Sequence, residues 1–268
     1  MGEVARPPFP RIAVVGLGLI GGSIAFAARR AWPSTHVVAI DRESVLKEAV
    51  ARRAIDAAVG DLAEIGDVDL IVLAAPVRQN IVLLRRIAEY ASPSTVITDV
   101  GGTKRTIVEA ATALAESVTF VGGHPLGGGA RGGFEFATAS LFARRPWIFT
   151  PHDDRGDRVV AHLSDFAIGL GALPSTMTAE AHDRLMALIS HLPQLAATAL
   201  MEVVGRGADG AGLRMAGQGL VDTTRLASSP ADVWRDICVT NADEIRGAHW
   251  IFSSSASRNS GAICNAPR

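Results

Sequence analysis

An α/β doubly wound sheet followed by an all-α region is the architecture this chain predicts, on three observations. An apolar run at residues 12–15 passes directly into Gly16-Leu17-Gly18-Leu19-Ile20-Gly21 and then into a helix-forming stretch of Ile, Ala and Phe. Short apolar runs and helical spacings then alternate as far as residue 176, the pattern of strands and crossover helices that build a parallel sheet. From Thr178 onward strand signals vanish, and Leu185, Leu188, Ile189, Leu192, Leu195 and Leu200 keep helical spacing.

The first unit has the form of a dinucleotide-binding βαβ turn, so the fold expected is Rossmann-type. Gly16 allows the tight turn, Gly18 lets the backbone approach a pyrophosphate, and Gly21 lets the helix pack against the strand. The free N–H groups of that helix, with Leu19 and Ile20 in its first turn, face the phosphates. Residues 36–40 read as the next strand and end on Asp41, about twenty residues after the last glycine, where a carboxylate holds the ribose hydroxyls. A nicotinamide or flavin nucleotide fits this pattern. Asp41 repels a 2′-phosphate and so favours NAD over NADP, while Arg42 beside it offers that phosphate a partner.

The remaining elements follow in order. Helical composition covers 46–58, a buried strand covers 70–74 and leads into Ala75 and Pro76, and helical spacing runs over 80–90. A strand at 96–100, a Gly101-Gly102 turn, a helix at 104–115 and a strand at 119–121 come next. Residues 147–150 give one more strand, 159–170 a helix, and an extended piece lies near Leu173. Thr178 is a plausible N-cap for the helical region, and a helix is expected over 231–245. The boundaries expected are 1–176 for the NAD-binding domain, 177–252 for a helical substrate and dimerisation domain, and 253–268 for a small, polar, disordered tail.

Composition narrows the function. A formal net charge of −1 with basic pairs scattered along the chain gives no nucleic-acid or membrane surface. Two cysteines support no disulfide framework, and no Cys/His cluster has metal-ligand spacing, so no metal is expected and a cytoplasmic setting is the default. The apolar stretch 12–28 imitates a signal core, but its glycine density and flanks argue for a buried strand and helix.

In open α/β sheets ligands sit beyond the carboxyl ends of the strands. Three loops lie there: 74–77 with Ala75 and Pro76, 99–104, and 122–129. The last holds His124, directly after a buried strand, fixed by Pro125 and surrounded by glycines, which suits a general base. In the helical region His191 and Gln194 flank Pro193, which removes a backbone hydrogen bond and kinks the helix there. Arg225 stands among small and hydroxyl side chains ahead of Trp234, placed to fork onto a carboxylate or to bridge to Asp222 or Asp232.

Together and in this order, the GLGLIGGS turn, the DVGGTK loop, the GGHPLGG loop, the LFARRPWIFTP strand, the HDRLMALISHLP helix and the DTTRLASSPADVW segment resemble the prephenate/arogenate dehydrogenase family. The resemblance runs from about Arg11 to Asn241. It implies a Rossmann domain followed by a helical domain that makes a homodimer, and an NAD-dependent oxidative decarboxylation of a cyclohexadienol in tyrosine biosynthesis. By motif, His124 is the proton acceptor, Arg225 grips a substrate carboxylate, and His191, Gln194 and Trp234 line the pocket. Lys104 falls at the lysine of the family's DVGSVK-like loop. The chain departs from the family in three places. Gly102 stands where a serine is usual, and Thr103 is the candidate to replace it as a catalytic hydroxyl. Gln194 stands where a second histidine is common, and Ala130 where an acidic residue is common. Two neutral side chains at the latter positions tilt the substrate toward prephenate and away from arogenate, whose ammonium a carboxylate would favour. An amino-substituted prephenate analogue is a further substrate class. The competing readings are a β-hydroxyacid-type dehydrogenase, disfavoured because no lysine lies between Thr178 and Arg225, and an NAD-binding sensor without turnover.

Overall fold

The computed structural model describes residues 6–114, 118–129, 131–208 and 210–264. The chain forms two compact units, Met1–His182 and Asp183–Arg268. They divide inside a helix, six residues past the boundary expected at 176.

The first unit is built on an eight-stranded sheet in the order β3-β2-β1-β4-β5-β6-β7-β8. Its strands are β1 (Arg11–Val15), β2 (His36–Ile40), β3 (Ala57–Ala58), β4 (Leu70–Leu73), β5 (Val96–Asp99), β6 (Thr119–Pro125), β7 (Pro146–Thr150) and β8 (Leu173–Thr176). The first six in sequence are parallel, so their carboxyl ends share one edge. Helices α1 (Leu19–Ala31), α2 (Glu43–Ala51), α3 (Val77–Ile87), α4 (Arg105–Thr112) and α5 (Asp154–Gly169) connect them.

Near-continuous apolar strands are what a sheet covered on both faces requires, because alternate residues enter opposite cores. Ile12 and Val14 join Ile24, Trp32 and Phe166 on one side, whereas Ala13 and Val15 join Leu84, Ile87 and Ile107 on the other. The chain reverses its strand order between β1 and β4, which opens a crevice at their carboxyl ends.

Three local expectations are corrected. The helix expected over 46–58 ends at Ala51, because the chain turns through Arg53 at φ 56° and leaves residues 57–58 to pair with β2 as β3. A uniformly parallel sheet is also not found: β7 runs antiparallel to β6. Among the described residues of the link between these strands the only helix is a 3-10 turn at Phe134–Phe136, too little for a parallel crossover. Finally, β6 continues past residue 121 to Pro125 and so carries His124 within the strand itself.

The second unit is entirely helical among the described residues. Helix α6 (Ala179–Met186), whose first turn Thr178 caps through its hydroxyl, passes through a π-turn at Ala187–His191 into α7 (Leu192–Gly207). Pro193 therefore does not end the helix. The widened turn before it absorbs the backbone bond that proline cannot make. Helices α8 (Gly210–Arg214) and α9 (Gln218–Thr224) lead to a 3-10 turn at Arg225–Ser228, then to α10 (Ala231–Thr240) and α11 (Ala242–Cys264). The single helix expected over 231–245 is broken at Asn241, whose side chain is drawn into the interior. Where a periodless tail is expected from Ser253, α11 continues to Cys264. Proline is absent until Pro267, so nothing covalent stops the helix earlier.

Candidate active site

The glycine turn at the end of β1 has three distinct steric roles. Gly16 sits at φ +100°, and a Cβ there would lie 2.9 Å from the Ala74 carbonyl. A Cβ on Gly21 would lie 1.9 Å from the Gly16 oxygen, whereas one on Gly18 would meet nothing within 4 Å. The two outer glycines are thus required by the fold, and the middle one faces open space at the amino end of α1. That space, with unbonded helix N–H groups around it, fits a pyrophosphate.

Asp41 closes the other side of the turn. Its Oδ2 accepts from the Leu17 N–H at 2.6 Å and its Oδ1 from the Arg42 N–H at 2.6 Å. Each oxygen keeps a lone pair for a ribose hydroxyl. The Arg42 guanidinium is 85% exposed, with Nε 3.8 Å from the carboxylate. Across the crevice, Asn80 is fully buried and shapes the 73–75 turn by donating to the Leu73 carbonyl at 3.1 Å and accepting from the Ala75 N–H at 3.0 Å. Pro76 then starts α3 with an exposed ring.

Next along the same edge is a buried ion pair. Lys104 Nζ lies 2.5 Å from Asp99 Oδ2, and neither side chain has accessible surface. Asp99 also accepts from the Gly101 N–H at 2.8 Å and from the Gly123 N–H at 3.1 Å. One carboxylate therefore ties the 99–104 loop to the residue before His124. Side chains on Gly122 or Gly123 would collide with Thr150 Oγ1 or the Asp99 carbonyl, so these glycines are what let β6 approach. Thr103 is completely buried while Gly102 keeps accessible surface.

His124 is half-buried, and its Nδ1 lies 2.8 Å from Nε2 of His182, a fully buried residue in the first turn of α6. The rings meet edge to face with centroids 5.0 Å apart. Such a contact requires one nitrogen to carry the hydrogen and the other to accept it.

The second unit assembles the remaining residues. His191 is buried in the π-turn, edge-on to Trp234 with ring centroids 5.9 Å apart. Asn241 donates to the Asp183 carbonyl at 2.8 Å and lies 3.1 Å from His191 Nδ1. The carbonyl acceptor fixes which end of the amide points there, so His191 Nδ1 is an acceptor and its Nε2 carries the hydrogen. The Gln194 amide donates to the Leu226 carbonyl at 2.8 Å and accepts from the Ser229 hydroxyl at 3.2 Å. It thereby fastens the turn that carries Arg225. The bridges from Arg225 to Asp222 or Asp232 do not form: Asp222 is bonded by Gln218 and Asp232 by Arg235, and the Arg225 side chain is exposed.

Sequence reasoning missed Asp99, Asn80, Asn241 and the role of His182. The Asp99-to-Lys104 spacing inside a glycine-rich loop is a usable signal for the first. The partners of Asn241 and His182 are remote in sequence, 58 positions away for His182, whereas Asn80 serves a turn only five to seven positions away. Ala130 lies outside the described residues, and among those described no group of three or more His, Cys, Asp or Glu could hold a metal ion.

Comparison with known proteins gives the relatives of this chain. A family model described as the nucleotide-binding domain of prephenate dehydrogenase matches residues 24–173, and one described as its dimerization domain matches 178–266. The prephenate dehydrogenase of Bacillus subtilis (strain 168) is 34% identical over 248 residues, 90% of this chain and 67% of that protein. The crystal structure of prephenate dehydrogenase from A. aeolicus in complex with hydroxyphenyl propionate and NAD+ superposes with a TM-score of 0.88 at 26% identity, over 95% of this chain and 90% of that one. Synechocystis arogenate dehydrogenase gives 0.82 at 29% identity, over 95% and 92%.

Proposed function

The chain belongs to the prephenate dehydrogenase family, and on that premise we propose that it catalyses the NAD-dependent oxidative decarboxylation of prephenate to 4-hydroxyphenylpyruvate. The observation that carries this reading is the placement of His124: a half-buried imidazole at the carboxyl end of β6, on the edge that holds the glycine turn and Asp41. The A. aeolicus relative, whose crystals hold NAD+, supports the choice of cofactor, as does the Asp41 carboxylate.

A dinucleotide held by the glycine turn and Asp41 would supply a hydride acceptor for the ring carbon that bears the hydroxyl. His124 Nε2 takes the hydroxyl proton, the ring carboxylate leaves as carbon dioxide, and the bond electrons it leaves behind make the ring aromatic. Because aromatisation drives the step, the chain's task is to orient and to polarise. Arg225 is assigned to a substrate carboxylate through paired N–H donors, and His191 to a substrate oxygen through its Nε2–H. Gln194 acts by holding the Arg225 turn, Trp234 by walling His191, and Thr103 with Lys104 by bracing the loop under His124.

Arogenate is the second reading, favoured by the likeness to the Synechocystis enzyme. Initial rates of NADH or NADPH formation with prephenate and with arogenate, each against NAD and NADP, separate the readings. The largest kcat/KM is expected for prephenate with NAD. Turnover of none of the pairs, with dinucleotide still bound, would leave an NAD-binding sensor.

We also assign the chain to the cytoplasm as a homodimer. The apolar run 179–207 is long enough to cross a bilayer by composition alone, but it carries the buried polar residues His182, Asp183, His191 and Gln194. The exposed Leu200, Val203, Trp250, Ile251 and Phe252 suit a second copy of the helical unit, in keeping with the dimerization-domain match.

A further inference from the structure

Resting on the placement of the dinucleotide at the glycine turn, we propose that Asn80 is a positioning residue for the cofactor: it holds the turn after β4, which forms the second wall of the crevice. Helix α3 buries the stripe Val77, Asn80, Leu84 and Ile87, so an amide stands where the spacing calls for an apolar side chain. Burying an amide is costly unless both of its ends are bonded, and here both are. Oδ1 accepts from the Ala75 N–H at 3.0 Å, and Nδ2 donates to the Leu73 carbonyl at 3.1 Å. The backbone partners fix these roles, because an N–H only donates and a carbonyl only accepts. The Asn80 N–H adds a third tie, to the Pro76 carbonyl at 2.9 Å.

These bonds begin where the sheet stops. Val15 and Leu73 are the last paired residues of β1 and β4, and the Ala74 N–H closes the ladder by donating to the Val15 carbonyl at 2.7 Å. Beyond it the Ala75 N–H has no strand to pair with, and the Asn80 side chain takes the place of one. The Leu73 carbonyl has a second donor in the Val100 N–H at 3.1 Å, so the group that depends on Asn80 is the Ala75 N–H. A Cβ on Gly16 would lie 2.9 Å from the Ala74 carbonyl and 3.0 Å from the Ala75 nitrogen, so the turn that Asn80 holds packs backbone to backbone against the glycine turn. Ala75 keeps part of its surface and Pro76 is exposed, whereas Asn80 has none. Asn80 therefore acts on a ligand in the crevice only through the turn. His124 stands on β6, two strands further along the sheet, so loosening this turn bears on the cofactor and not on the base.

The test is calorimetry of NAD binding to the full chain, to Asn80→Ala, and to Ile87→Val, a core change at the far end of the same buried stripe, with a denaturant titration of all three. Loss of the two side-chain bonds is expected to raise the NAD dissociation constant about tenfold in Asn80→Ala. Ile87→Val is expected to lower the denaturant midpoint and still bind NAD within about twofold of wild type. In turnover, KM for NAD in Asn80→Ala should rise in step with the dissociation constant, with kcat at saturating NAD and KM for prephenate within about twofold, a split that a merely weakened fold does not produce. A rise below about threefold in Asn80→Ala, an equal weakening in Ile87→Val, or a loss that falls on kcat would overturn the proposal. Should Asn80→Ala fail to fold, Asn80→Ser decides alone at the same threshold, because its hydroxyl keeps a polar group in the space but stops one bond short of the turn. If the wild type binds NAD and turns over neither cyclohexadienol, the function proposed above fails while the calorimetry still decides the role of Asn80. If the wild type binds no NAD, the placement of the dinucleotide fails and the role of Asn80 with it.

Discussion

Replacing Asp99 with alanine tests how the base is held in place. The carboxylate is fully buried, accepts from Lys104 Nζ at 2.5 Å, and ties the N–H groups of Gly101 and Gly123 at 2.8 and 3.1 Å. Removing it leaves a fully buried ammonium without its carboxylate, which costs about 3–5 kcal/mol. The two released backbone donors belong to the same network, so their loss is largely contained in that figure. Against a typical total stability of about 5–15 kcal/mol, this is a large fraction. Denaturant titration followed by the fluorescence of Trp32 and Trp147, both in the sheet unit, reads the midpoint. Asp99→Ala combined with Lys104→Met should be less destabilised than Asp99→Ala alone, because the stranded charge is gone. A cost for Asp99→Ala below about 1 kcal/mol, or a double variant equal to the sum of the singles, would refute the reasoning.

Three further outcomes are expected. Gly21→Ala drives a Cβ to 1.9 Å from the Gly16 carbonyl and should cost at least about 1–3 kcal/mol, whereas Gly18→Ala meets nothing and should leave stability within about 1 kcal/mol while weakening NAD binding measured by calorimetry. Arg225→Ala should raise KM for the substrate on the order of 10- to 100-fold with the dinucleotide KM unchanged, and Gln194→Ala should do the same to a smaller degree by releasing the Leu226 carbonyl. At Asp153, burial pushes the carboxyl up, but the Gly156 N–H and the Arg155 guanidinium outweigh it and hold it below the ordinary carboxylate range. Its capping of α5, worth about 1 kcal/mol, is therefore fully present above the pKa of the unfolded carboxyl and lost as pH falls through the lower folded value. Thermal melts of Asp153→Ala should accordingly differ from wild type at neutral pH and converge in strong acid.

The parts of the fold legible in the sequence are those that local sterics decide. The glycine turn can be read because only glycine fits at Gly16 and Gly21, and the strands because a sheet covered on both faces demands unbroken apolar runs. The direction of β7 was not legible, since it depends on the 126–145 link returning without a helix. The π-turn before Pro193 was not legible, because periodicity does not tell which residues absorb a missing backbone bond. Among the candidate site residues, His124 and Arg225 announce themselves by their neighbours in sequence. Asn80 and Asn241 do not, because an asparagine that serves a backbone carbonyl together with a backbone N–H or a ring nitrogen looks like any other polar residue until the chain is folded. His182 sits in a helix whose apolar spacing is what the sequence displays, and its link to His124 exists only in three dimensions.

The central claim is tested most directly by incubating the protein with prephenate and NAD and measuring NADH and carbon dioxide together, in the wild type and in His124→Asn. The account predicts one carbon dioxide per NADH, and a kcat lowered about a hundredfold or more by the substitution with NAD binding intact. NADH formation without matching carbon dioxide, or a His124→Asn variant within a few-fold of wild type, would contradict it.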